Sequence, residues 1–252
     1  MIDPYVYPDT DILKNKFNIK DEKILNEMEA EYTSMRISEM EVTPINGDGD
    51  FDFKHLCETH RWIFQDIYDW AGTQRTINVE KPEPALGGRE SIEYEKILNI
   101  EASVSAILKK MQETEWGKLS LDERASQFSI DVANLWKVHP FREGNTRTTI
   151  IFCCQFAEDK GFPLDRELFA KYSAYVRTAL VAASAKFSDI GDFSQPEHLI
   201  KIVKDSMERG DKLKNEHKTM DEWKNEISNR RNSESEPKGK SNIKTNSNRH
   251  ER

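Results

Sequence analysis

Between residues 139 and 150 the chain reads HPFREGNTRTTI, which puts a histidine, a carboxylate, a Gly-Asn pair and an arginine within nine positions. Phosphoryl and nucleotidyl transfer need charge stabilisation on the phosphates, usually with a divalent metal, and a base beside the attacking group. Each part has a candidate here. His139, with an ordinary pKa of about 6.5, suits proton abstraction near neutral pH. Glu143 is an oxygen ligand of the kind that Mg²⁺ takes alongside phosphate oxygens. Gly144 lets backbone approach a phosphate, and a helix starting at about Asn145 would present free N–H groups to an anion. Asn145 and Arg147 could add side-chain donors, with Thr146 between them. The stretch also has a purely structural reading, in which the histidine caps a helix, Phe141 fills the core and the glycine turns the chain.

The elements that must hold this turn are mostly helical. Ser120-Leu-Asp-Glu123 is a capping-box signature, and Ala125, Phe128, Val132, Leu135 and Trp136 follow at helical spacing, so a helix is expected to run straight into His139. On the far side, apolar residues at 151, 152, 154 and 156, stopped by Gly161 and Pro163, predict a helix to about Lys160 in which Cys153 and Cys154 are packing residues. Similar periodicity predicts helices over residues 92–111, from about Phe53 to Gly72, beyond a cap at Asp165, and around Leu199 to Met207. About seven helices are expected. One stretch departs from this, residues 72–89, GTQRTINVEKPEPALGGR. Its alternation at Thr76, Ile77, Asn78 and Val79, followed by prolines and a Gly-Gly pair, predicts a short hairpin or flap.

Composition bounds the function. At 252 residues the chain can bury a sizeable core. Charged residues are 33% and no run approaches the roughly 18 apolar residues of a membrane span. No secretory signal is legible at the N-terminus, so a cytoplasmic location is expected, with export as an effector by another route left open. A net charge of −8 argues against general nucleic-acid binding, which needs a basic stripe. Three cysteines, two of them adjacent, favour neither a disulfide framework nor a zinc site. Beyond residue 210 apolar residues are sparse, so residues 1–210 are expected to form the folded domain and residues 211–252 a polar, largely disordered tail. Residues 228–252 hold seven Lys or Arg against three Glu, a net +4 that leaves −12 for the rest. Arg75, His55 and His60 are expected in surface or satisfied structural roles.

HPFREGNTR closely resembles the core motif of Fic-domain proteins, HxFx(D/E)GN(G/K)R, and departs from it only at Thr146. The resemblance covers roughly residues 5 to 208. The beginning YVYPDTDILKNKF further resembles the bacterial subgroup whose antitoxin is a separate small protein. The resemblance implies a mostly α, Fic-type helical bundle with a small β-hairpin flap. It implies transfer of AMP from ATP to a Ser, Thr or Tyr hydroxyl of a target protein. His139 would then be the base, Glu143 would hold Mg²⁺, and Gly144, Asn145, Thr146 and Arg147 would line the phosphate site. The target would dock as an added strand along the flap at residues 72–89; an oligomer is compatible with the sequence.

Two departures from the family pattern bear on activity. Adenylylating members usually have Gly where Thr146 stands, and kinase-like members related to the Doc toxin have Lys, which reverses the nucleotide. Threonine lacks the ammonium, which favours the Gly-like orientation. Ile150 stands where many members have a second arginine, which binds the outer phosphate or pairs with an inhibitory glutamate. The nearest match to the inhibitory pattern ends at Glu39, one place out of register. The chain is therefore expected to lack the usual glutamate-to-arginine clamp within itself, with restraint coming from a separate protein, from another mechanism or from low intrinsic activity. A Doc-like kinase and a catalytically weakened nucleotide- or partner-binding module remain the alternatives.

Overall fold

The structure, a computed structural model, describes residues 3–42, 50–86 and 91–234. Its chain is grouped into two units, Met1–Asp211 and Lys212–Arg252. Within the described residues lie eight α-helices: α1 (Glu22–Val42), α2 (Phe53–Phe64), α3 (Ile100–Glu113), α4 (Leu121–Val138), α5 (Asn145–Asp159), α6 (Arg166–Lys171), α7 (Ser173–Ala183) and α8 (Glu197–Glu234). The backbone expected as tail is thus helical to Glu234. Among the described residues no helix is long and apolar enough to cross a membrane.

The capping box is present: the Ser120 side chain accepts from the Glu123 N–H, and Glu123 Oε2 accepts from the Ser120 N–H at 2.9 Å. It anchors α4, whose Phe128, Val132 and Trp136 are buried in the main core. Phe152 and Phe156 of α5, Phe162 and Trp116 close the same core, with Phe128 and Phe162 edge-to-face at 5.4 Å. Cys153 and Cys154 are buried thiols within it, and burial pushes the Cys154 thiol up to about 12, so neither behaves as a nucleophile. A second cluster joins α1, α2 and α5 through Leu25, Met40, Ile63, Phe64, Ile67, Tyr68 and Ile151. The two clusters grip α5 from either side and so fix the turn at its N-terminus.

Two expected helices are shorter than their periodicity. α2 stops at Phe64, and successive turns bring the chain back over it. Gly72 at φ +80° passes so close that a Cβ would lie 2.7 Å from Arg61 Cβ. Residues 92–96 are not helical; they form an extended lead into α3 that buries Ile92 and Tyr94. The antiparallel strand pair also lies elsewhere than expected. β1 (Lys186–Phe187) pairs with β2 (Gly191–Asp192), strands too short to show alternation in sequence. Of the flap segment, residues 87–89 fall outside the described residues. The rest carries one bridge, Pro82 to Ser91, and a single 3-10 turn at Pro84–Leu86. Its exposure nevertheless alternates: Thr76, Asn78, Glu80 and Pro82 face outward, while Ile77, Val79, Lys81 and Glu83 face inward.

Candidate active site

His139 caps α4 in the left-handed conformation, φ 53° and ψ 59°, which turns the chain sharply out of the helix. Its ring is 1% exposed and stacks on Tyr94 with centroids 4.0 Å apart. Neither ring nitrogen has a hydrogen-bond partner. Burial holds its pKa well below the ordinary value, and the cation of Lys81 reinforces this while Glu143 opposes it, so the ring is neutral at pH 7. A neutral imidazole with free nitrogens is a proton acceptor in waiting.

Two buried side chains hold this turn. Arg75, 1% exposed, donates from Nε to the His139 carbonyl at 2.8 Å, from Nη1 to the Ile77 carbonyl at 2.7 Å and from Nη2 to the Glu95 carbonyl. Its own N–H donates to the Pro140 carbonyl at 2.9 Å. His60 receives the Gly72 N–H on Nδ1 at 2.8 Å, so its proton is on Nε2, which donates to the Glu143 carbonyl at 3.1 Å. Its ring stacks on Phe141 at 3.9 Å. Arg75 and His60 thus have satisfied structural roles, both wholly buried rather than on the surface. His55 is also buried, stacked on Phe51. An isolated Arg or His carries no spacing signal, which is why none of the three stands out in the sequence.

Glu143 is ionised. Burial would raise its pKa, but the Lys81 ammonium at 2.7 Å from Oε2 and the Gly144 N–H at 3.0 Å from Oε1 hold it at about 2. Gly144 follows at φ +79°, with the Phe64 ring where a Cβ would be. The first intrahelical bond of α5 runs from the Thr148 N–H to the Gly144 carbonyl at 3.0 Å. The N–H groups of Asn145, Thr146 and Arg147 come before it and face outward along the helix axis.

The side chains at these positions differ from expectation. The Asn145 amide is consumed by Phe141, accepting its N–H at 2.9 Å and donating to its carbonyl at 2.8 Å, so it locks the turn and leaves only its backbone N–H for an anion. Thr146 Oγ1 accepts from Trp136 Nε1 at 2.9 Å and lies 3.4 Å from Arg177 Nη1, which ties the hydroxyl to α4 and α7. Ile150 packs against the main core.

With Ile150 packed against the core there is no arginine at that position for the usual clamp, but Arg147 makes an ion pair that the sequence does not suggest. Its guanidinium lies over the Phe64 ring at 5.0 Å, donates to Thr33 Oγ1 at 2.8 Å and pairs with Glu29, whose other oxygen accepts from Tyr68. Glu39 instead pairs with Arg36 at 2.8 Å, beside Asp66. A glutamate-to-arginine clamp therefore exists within the chain, built from Glu29 and the motif arginine. A pattern with Ser or Thr four residues ahead of Glu does not describe it, because here the glutamate comes first. Either order of an i, i+4 pair puts both side chains on one helix face.

The two neutral buried histidines give a pH signature. His60 is depressed to about 3 and His139 falls well below 6.5, whereas both regain ordinary values on unfolding. The unfolded state therefore binds up to two more protons as pH falls below about 6.5. Stability is fully present above that value and declines by up to about 2.7 kcal/mol per pH unit on the way down. Urea midpoints at pH 7, 6 and 5 read this before paired carboxylates begin to titrate. A flat profile over that range would contradict the assignment.

Residues 50–157 match the Fic/DOC family. A probable protein adenylyltransferase of Sinorhizobium fredii, y4lH, is 37% identical over 163 residues, which are 65% of this chain and 79% of that protein. The protein adenylyltransferase VbhT of Bartonella schoenbuchensis is 30% identical over 164 residues, 65% of this chain but 32% of its own length. Among solved structures, the N-terminal Fic domain of an effector protein from Bartonella sp. AR 15-3 superposes with a TM-score of 0.67 at 21% identity, covering 80% of this chain and 90% of that one. BepC of Bartonella tribocorum, solved with bound AMPPNP, gives 0.64 at 20% identity over 80% and 95%. At such identities the structural likeness is one of fold.

Proposed function

Because the chain belongs to the Fic/DOC family, we propose that it is a protein adenylyltransferase that moves AMP from ATP to a Ser, Thr or Tyr hydroxyl of a target protein. The observation that carries this reading is His139, neutral and buried with both nitrogens free, on the same turn as an ionised Glu143 and the open N-terminus of α5. His139 takes the proton of the target hydroxyl as its oxygen bonds to the α-phosphorus, and the bond to the β-phosphate oxygen breaks to release pyrophosphate. The N–H groups of Asn145, Thr146 and Arg147 bind phosphate oxygens, and the incoming negative charge raises the pKa of His139 toward the range of an effective base.

Among the described residues no group of three or more His, Cys, Asp or Glu is gathered for a metal. The donor set still suits Mg²⁺, which uses one or two carboxylates and completes its shell with phosphate oxygens and water. Glu143 is the acceptor-only carboxylate for that place, once Lys81 withdraws. Bound Mg²⁺ would neutralise charge on the phosphates.

Target docking rests on residues 76–82, an extended run with alternating exposure and, among the described residues, a single bridge at Pro82. Side chains take the Thr76 and Lys81 N–H groups and the Ile77 carbonyl, and apart from the Pro82 bridge no strand among the described residues pairs with this run, which suits strand addition by a target peptide. Glu29 restrains Arg147 from within the chain, and a separate antitoxin would act on top of that restraint.

Incubation with lysate proteins and Mg²⁺ is expected to give label from α-³²P-ATP and none from γ-³²P-ATP. Label from the γ-phosphate would instead assign a kinase reaction, and no label from either would reject group transfer.

A further inference from the structure

We infer that Arg177, on α7, is a ligand of the nucleotide phosphates that Glu83 holds in reserve in this conformation. The inference rests on the nucleotide-transfer reading above and adds a residue outside the HPFREGNTR motif to it.

The first turn of α5 has to meet several phosphate charges with few cations. Arg147 is turned toward α1 by Glu29 and Thr33, and Lys81 is bound to Glu143. Position 150 is an isoleucine packed against the core. Arg177 is the further guanidinium that reaches this turn, with Nη1 3.4 Å from the hydroxyl of Thr146, the second residue of α5. Its side chain is 39% exposed, so a ligand can reach it. A planar fork of five donors matches phosphate oxygens far better than a single amide dipole does.

What occupies Arg177 now is instructive. Its Nη2 donates to Glu83 Oε1 at 2.7 Å, and Glu83, 1% exposed, belongs to the inward-facing row of the flap segment. Two residues earlier in the same row, Lys81 occupies the carboxylate of Glu143. The flap thus sets a cation on the acid that would take a metal and an acid on the cation that would take a phosphate. It satisfies the site's charges with its own side chains, in the positions that metal and nucleotide would fill. Lifting residues 81–83 frees both at once and returns a buried carboxylate to water, which lowers the cost of parting it from Arg177. Tyr94 links this arrangement to the base, since its hydroxyl donates to Glu83 at 2.9 Å and its ring stacks on His139.

Displacement of a fluorescent ATP analogue (mant-ATP) from the full chain by AMP-PNP and, separately, by adenosine tests the assignment. Arg177→Gln is expected to weaken AMP-PNP by about 10-fold to 100-fold, the range for loss of a charge-assisted hydrogen bond, and to leave adenosine unchanged. Arg177→Lys should fall between. Glu83→Gln, which keeps an acceptor for Tyr94 but drops the charge, should tighten AMP-PNP. If Arg177 only neutralises Glu83, Arg177→Gln leaves AMP-PNP as it was or weakens AMP-PNP and adenosine alike, and either result overturns the inference while the transferase reading stands. A wild-type chain that displaces no mant-ATP with AMP-PNP overturns both.

Discussion

Replacing His139 with alanine is expected to lower AMP transfer by about 10²-fold to 10⁴-fold, the range for loss of a general base. Nucleotide affinity should change little, because the phosphates are assigned to the α5 N–H groups and not to the imidazole. Stability should also hold. The substitution gives up the stacking on Tyr94 but also removes two buried nitrogens that no protein group satisfies. Initial rates from α-³²P-ATP, paired with nucleotide titrations, separate these effects. A variant that retains rates within about tenfold of wild type would remove His139 from the role of base.

Gly144→Ala is expected to destabilise the fold by about 2–4 kcal/mol and to abolish nucleotide binding in whatever still folds. Two costs add. A non-glycine residue at φ +79° is strained by about 1–2 kcal/mol, and the new methyl would sit 2.2 Å from Phe64 Cζ. Phe64 cannot yield easily, being fully buried between α1, α2 and α5 and lying beneath the Arg147 guanidinium. The double variant Gly144→Ala, Phe64→Leu should recover the packing part and none of the backbone part. Urea unfolding of wild type and the two variants reads this directly. A Gly144→Ala protein as stable as wild type would mean that the turn is not held as described.

Much of the site is legible in the amino-acid sequence. HPFREGNTR gathers its residues within one turn, so the fold has little to do to bring His139, Glu143 and the α5 N-terminus together. Helix α4 is equally legible, since a capping box and an apolar stripe are local signals whose physics lies within a few residues. Less is legible where local periodicity competes with packing. The helix expected over residues 92–111 starts later, because tertiary burial of Ile92 and Tyr94 keeps residues 92–96 out of it. α1 shows too little apolar contrast to stand out, and the Glu29 clamp is hidden with it.

By itself the sequence determined the chemistry on offer: a base, a carboxylate, a glycine that lets the backbone in, and the helices on either side. Only the tertiary structure decided which of those groups are free. It spends the Asn145 amide on Phe141, ties Thr146 to Trp136, and sets Glu29, Lys81 and Glu83 against Arg147, Glu143 and Arg177. The partners in those three ion pairs stand 118, 62 and 94 residues apart. A charge's partner is chosen by distance in space, and pairs of that kind leave no period, spacing or composition in the chain for a reader to find.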